Sequence, residues 1–147
     1  MTARSGKSET VLVLEDEDAV RSVVQRILER YGYSVHAVAS GSEALRVARE
    51  QEGRIDLLLA DVILPEMSGP EVAKRIATEW PETRVLFMSG YPKDEVFRRG
   101  LVEPGRALLR KPFALDEVVR MVRDALDGAP PAGDGLLSNS QRRKGTG

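Results

Sequence analysis

Val11-Leu12-Val13-Leu14, closed at once by Glu15-Asp16, is the stretch on which the fold turns. Four consecutive apolar residues without alternation are what a strand covered on both faces requires, and such strands belong to parallel sheets flanked by helices. The pattern returns along the chain. Ile55 with residues 57–60, then Val85-Leu86-Phe87-Met88, and in shorter form Ala107-Leu108-Leu109, read as further covered strands, and residues 33–38 read as a second strand in chain order. Polar residues follow each apolar run closely: Asp61 after the third, Ser89 after the fourth, Lys111 after the fifth.

Helical patterns fill the gaps between these runs. Val20, Val23, Val24, Ile27, Leu28 and Tyr31 recur at helical spacing, and Gly32 stands where helices commonly stop. Ser40 with Glu43, and Ser68 with Glu71, are capping boxes, and Pro70 occupies an early helical position where its missing N–H costs nothing. Val72, Ile76 and Trp80 face one way along the third helix. Residues 93–100 form a short fourth helix. Leu115, Val118, Val119, Val122 and Leu126 stripe a fifth, ending at Gly128.

Five strands alternating with five helices predict an α/β fold with right-handed crossovers, a doubly wound five-stranded parallel sheet in the order 2-1-3-4-5, a flavodoxin-like three-layer sandwich. Residues 1–9 read as a flexible leader and 10–127 as one domain. Residues 128–147, rich in Gly, Pro and Ser and without apolar periodicity, read as a disordered tail.

Bulk properties narrow the function. A formal net charge of -1 gives no support for nucleic acid or membrane as partner, and the absence of cysteine excludes disulfides, thiolate catalysis and thiolate metal sites. The N-terminus has no apolar stretch for a signal peptide, and the longest apolar runs are too short to span a bilayer, so a cytoplasmic location is expected. His36, the only histidine, falls in an edge strand and is not expected to act in catalysis. Gly6-Lys7-Ser8 fails as a phosphate-binding loop, since Met1 stands where the motif needs its first glycine. Arg142-Arg143-Lys144 reads as a solvated charge cluster.

Ligands of open parallel sheets bind beyond the carboxyl ends of the strands, where the strand order reverses. That rule gathers Glu15, Asp16, Asp61, Ser89 and Lys111 on one edge. Taken singly, an Asp after a strand is most often a turn residue, and a Lys most often a solvated one. Together they form a chemical set. Crowded carboxylates repel one another and call for a cation, and an all-oxygen site suits Mg²⁺. One carboxylate can then attack a phosphoryl group, with a lysine and a hydroxyl offsetting charge on the equatorial oxygens. Glu17, Asp18 and Glu66 read as solvated or capping charges near the site.

With these residues in place, Val-Leu-Val-Leu-Glu15-Asp16-Glu17, Asp61-Val62-Ile63-Leu64-Pro65-Glu66-Met67-Ser68-Gly69, Met88-Ser89-Gly90 and Lys111-Pro112-Phe113 resemble the receiver domains of response regulators in two-component signalling. The resemblance covers roughly residues 10–127. It implies that Asp61 is the phosphoacceptor, that Asp16 and Asp61 ligate Mg²⁺ directly with Glu15 acting mainly through water, and that the Ile63 backbone carbonyl completes the protein ligands. Ser89 and Lys111 would contact the phosphoryl group, and a cis bond before Pro112 would aim the lysine inward. It implies a histidine kinase or phosphotransfer protein as donor, and a switch presented on the helix-four, strand-five, helix-five face to a downstream protein or a second copy. A receiver is not an enzyme in the ordinary sense: it catalyses only its own phosphorylation and dephosphorylation.

Leu86-Phe87-Met88-Ser89-Gly90-Tyr91-Pro92 and Leu101-Val102-Glu103-Pro104-Gly105 are similar to receivers fused to hybrid sensor histidine kinases. The chain departs from the family where an aromatic often precedes the lysine by three residues, a place held here by Leu108. Ile63 and Tyr91, two residues after Asp61 and Ser89, flank the route of an attacking water in this family, and their bulk is expected to slow loss of the phosphoryl group. Three other readings compete, one of them a degenerate receiver that only binds partners without phosphorylation, which would need the acceptor, the acidic pair or the lysine lost, and none is lost. A Mg²⁺-dependent phosphohydrolase with an aspartyl nucleophile usually has a second Asp two residues on, where this chain has Ile63. A flavodoxin-like cofactor binder shares the fold, but its phosphate would meet the carboxylates.

Overall fold

The computed structural model describes residues 8–128. Residues 1–7 of the expected leader, and residues 129–147 of the expected tail with their Arg142-Arg143-Lys144 cluster, lie outside the described residues. Strands β1 (Thr10–Leu14), β2 (Ser34–Val38), β3 (Leu57–Asp61), β4 (Arg84–Ser89) and β5 (Leu108–Arg110) alternate with helices α1 (Asp18–Arg30), α2 (Gly41–Glu50), α3 (Gly69–Glu79), α4 (Lys93–Arg98) and α5 (Leu115–Asp127). All strand pairs are parallel and the order is β2-β1-β3-β4-β5.

Successive side chains of a strand point to opposite faces, so each apolar run feeds two cores. Val11, Val13, Leu57, Leu59, Leu86, Met88 and Leu109 pack with Val24, Ile27 and Leu28 of α1 and Val118, Val122 and Leu126 of α5. Leu12, Leu14, Leu58, Ala60, Phe87 and Leu108 pack on the other face with α2, α3 and Val96 of α4. β1 and β3 are buried from Val11 to Leu14 and from Leu57 to Asp61, each buried valine or leucine there contributing about 1.5–3 kcal/mol. This two-sided burial is why the runs do not alternate.

The expected helix ends are present. Tyr33 N–H bonds the Leu28 carbonyl and Gly32 N–H that of Glu29, both at 3.1 Å, with Gly32 at φ 93°, the left-handed turn that closes α1. Ser40 and Ser68 accept from the N–H groups of Glu43 and Glu71 at 3.3 and 3.2 Å. Three apolar positions assigned to buried stripes are exposed instead: Val23, Tyr31 and Leu115. Helical periodicity marks the whole apolar sector, whereas the sheet covers only its centre. Strand five begins one residue later than expected and runs to Arg110, so Lys111 follows it directly. His36 pairs with Leu12 in the edge strand and takes no part in the site described below.

Glu9, read above as part of a loose leader, is fixed. Its carbonyl accepts the Ser34 N–H at 2.9 Å, and its two carboxylate oxygens each accept from Arg123 of α5 at 3.0 Å. Arg123 also pairs with Asp127 at 2.9 Å, and Arg84 at the start of β4 donates to the Gly128 carbonyl at 2.7 Å. These bonds hold the two ends of the domain together at one pole.

Candidate functional site

Parallel strands deliver the residues after them to a common edge. Glu15 follows β1, with its N–H on the Val38 carbonyl at 3.1 Å. Asp61 is the last residue of β3 and stands in register with Met88. Lys111 follows β5, its N–H on the Ser89 carbonyl at 2.8 Å, and the Lys111–Pro112 bond is cis. Glu15 is wholly buried, Asp61 and Ser89 are buried, and Asp16 is exposed at the rim.

The Lys111 ammonium is the centre of the arrangement. Its Nζ lies 2.6 Å from Asp61 Oδ2, 2.9 Å from Glu15 Oε1 and 3.2 Å from Glu17 Oε1. The other Asp61 oxygen accepts the Ile63 N–H at 3.0 Å. The second oxygen of Glu15 accepts the Glu17 N–H at 3.0 Å. Burial works against the charge on Lys111, but its hydrogen bonds to Asp61 and Glu15 outweigh that and hold it more basic than a free lysine. Burial likewise raises the Glu15 carboxyl to about 7; the Glu17 N–H and Lys111 pull it down, and the Asp61 charge pushes it up.

Carboxylate oxygens of Glu15, Asp16 and Asp61 can be taken within 4.8 Å of one another. This donor set fits a hard divalent cation. All its atoms are oxygen, it carries more negative charge than one ammonium neutralises, and one member is exposed and open to solvent. The structure thus gathers Glu15, Asp16, Asp61 and Lys111. Ser89 sits beside them, but its Oγ accepts the Tyr91 N–H at 2.9 Å and makes no bond to the Asp61 or Lys111 side chain. Its hydroxyl proton is left for another acceptor. Leu108 is buried in the core without a ring to swing, while Ile63 and Tyr91 stand exposed.

Three contributors escaped the sequence reading. Glu17, taken there for a solvated charge, reaches Lys111 while remaining largely exposed. Arg21 donates to the Glu15 carbonyl at 2.9 Å and to Asp18 at 2.6 Å, fixing the turn that carries Glu15 and Asp16. Gly69 is needed because a Cβ there would overlap the Asp61 carbonyl oxygen. Only the Asp18–Arg21 spacing left a trace in the sequence, as an i,i+3 ion pair. A groove of about 640 Å³, bordered by Ala73, Phe87, Phe97, Leu101 and Arg106, lies away from these carboxylates, none of which lines it.

The fold and this edge define a class: a doubly wound α/β domain with an acidic cluster and a lysine converging on one strand-end aspartate. Comparison with known proteins agrees. Residues 11–123 match the family described as the response regulator receiver domain. The chain is 39% identical over 120 residues to the sensor kinase CckA of Brucella abortus (strain 2308), covering 82% of this chain and 13% of that protein. It is 36% identical over 128 residues to the probable transcriptional regulatory protein TcrX of Mycobacterium tuberculosis (strain ATCC 25618 / H37Rv), covering 86% of this chain and 53% of that protein. Among solved structures, the receiver domain of the hybrid histidine kinase CckA superposes with a TM-score of 0.68 at 39% identity, covering 80% of this chain and 99% of that one. The chain therefore belongs to the response regulator receiver domain family, signalling modules of two-component systems rather than conventional enzymes. It spans about half or less of the length of these two curated relatives. Among the described residues no helix is long and apolar enough to cross a membrane.

Proposed function

We propose that residues 10–127 form a receiver that takes a phosphoryl group onto Asp61 from a phosphohistidine of a histidine kinase or phosphotransfer protein. The observation that carries this reading is the 2.6 Å contact between Lys111 Nζ and Asp61 Oδ2 inside the buried carboxylate cluster. An Asp61 oxygen attacks phosphorus as the P–N bond to the imidazole breaks, the electron pair leaving on the ring nitrogen. Glu15, Asp16, Asp61 and the Ile63 backbone carbonyl would hold Mg²⁺, which when bound supplies charge neutralisation on the phosphoryl oxygens. Lys111 then exchanges its Asp61 contact for a phosphoryl oxygen, and Ser89 donates its free hydroxyl proton to another. Drawn inward, these two residues shift the β4–α4 segment and the α4–β5–α5 face, where a downstream protein or a second copy of the chain binds. The reaction takes place in the cytoplasm, with neither nucleic acid nor membrane as a direct partner.

Intact-mass spectrometry after incubation with acetyl phosphate, with and without Mg²⁺, tests this on wild type and Asp61→Asn. A single Mg²⁺-dependent phosphoryl adduct, absent from the variant, is expected. Well-folded wild type that takes no adduct even from a phosphorylated kinase would overturn the reading.

A further inference from the structure

The site needs a route to α4, and the ring that often serves this purpose in the family is missing at Leu108. We infer that Tyr91, held at one end by Ser89 and at the other by Arg99, is that route, and that Arg99 is a positioning residue for the switch. The inference rests on the reading of Asp61 as phosphoacceptor.

The geometry is a clamp with two ends. Inside the site, the Tyr91 N–H donates to Ser89 Oγ at 2.9 Å. Outside it, the Arg99 guanidinium lies over the Tyr91 ring, 5.0 Å from its centroid. Arg99 is not free to follow the ring independently. Its Nε lies 2.7 Å from Glu95 Oε2, and Glu95 Oε1 holds Arg98 at 2.7 Å as well. Glu95 and Arg98 belong to α4, and Arg99 caps it. When the Ser89 Oγ is drawn inward toward a phosphoryl oxygen, the Tyr91 N–H must follow it or lose its partner. A following Tyr91 pulls on Arg99, and through Glu95 on the helix.

α4 is suited to being moved. It has six residues, and only Val96 is buried among them, so little packing opposes its displacement. Leu108, lodged in the core, provides no parallel route through β5. An exposed cation–ring contact is weak, which suits a switch that must return.

The test reads amide shifts by two-dimensional NMR on the full chain, before and after acetyl phosphate with Mg²⁺, with mass spectrometry on each sample. In wild type, phosphorylation should move the amides of Val62 and Gly90 at the site and of Val96 and Phe97 in α4. In Arg99→Gln the site amides should respond as before, while the α4 response falls about two- to fivefold, the population ratio such a contact supports. Arg99→Lys should recover part of it, and Arg98→Gln, which shares Glu95 but not the ring, should leave it intact. Tyr91→Leu should match Arg99→Gln, with no further loss in the double variant. An α4 response in Arg99→Gln equal to wild type, on protein shown to be phosphorylated, overturns the link alone. A wild type that takes no adduct overturns the assignment of Asp61, and the link with it.

Discussion

Glu15→Gln should make the metal-free protein more stable at high pH, and the gain should grow in a defined window. The wild-type carboxyl ionises near 4.5 in the unfolded chain and near 7 in the fold, chiefly because it is buried. Between those values the native state binds the extra proton. Stability therefore falls as pH rises through this range, and none of the loss is present below 4.5. The two values lie about 2.5 pH units apart; at about 1.36 kcal/mol per unit this is on the order of 3 kcal/mol. Most of that should appear between pH 5 and pH 8. Glutamine has no proton to lose, and the remaining titrating groups are common to both proteins. Lys111 stays charged throughout the window. The difference between the two proteins thus reports the ionisation of Glu15 together with its coupling to Asp61 and Lys111. Urea unfolding in the presence of a chelator, at half-unit steps from pH 5 to pH 8, measures it. Saturating Mg²⁺ at pH 8 should narrow the gap again, because a cation favours the ionised carboxylate that burial disfavours. A difference that stays flat across the window, or shrinks as pH rises, would refute the account of Glu15 as a carboxylate forced to ionise in the interior.

Three further outcomes follow from the same geometry. Gly69→Ala should cost about 1–3 kcal/mol in urea unfolding, because the added carbon meets the backbone oxygen of Asp61, which has no side-chain freedom to yield; a neutral result would show that the β3–α3 turn can shift. Lys111→Met should destabilise the metal-free protein at pH 8 by several kcal/mol and by less at pH 5, where a protonated Glu15 relieves the crowding; a pH-independent loss would mean that Lys111 acts through packing. Ile63→Asn and Tyr91→Ala should each shorten the lifetime of the phosphorylated form, followed by mass spectrometry after removal of the donor, and unchanged decay in both would remove these side chains as barriers to water.

Much of this architecture could be read directly from residues. Val11 to Leu14 and Leu57 to Ala60 are buried on both sides, and such strands advertise themselves by lacking alternation. With the strand order 2-1-3-4-5, the edge that gathers Asp61, Glu15 and Lys111 follows from where the apolar runs stop. Other features depended on tertiary neighbours that one-dimensional patterns do not encode. Val23 and Tyr31 fit the helical period of α1 yet face outward, because periodicity gives a direction and not the width of the surface that covers it. Glu9 looked like leader because its partner, Arg123, lies 114 positions away. Glu17 looked solvated, and by exposure it is, but its carboxylate also reaches the ammonium of Lys111. The need for glycine at 69 comes from the Asp61 carbonyl, a backbone atom with no signature in sequence.

The Glu9–Arg123–Asp127 bonds also decide how force and orientation pass through the molecule. Glu9 precedes the first strand and Asp127 ends the last helix, and one guanidinium grips both. Asp61 lies at the far ends of the strands, about 16 Å away for strands of five residues. Tension applied through flanking chain on either side meets this grip before it reaches the sheet, so the acidic edge stays off the load path. A domain held from this single pole would carry Asp61 at its outer end, so under the proposed function the length of that arm bears on which donors Asp61 can reach.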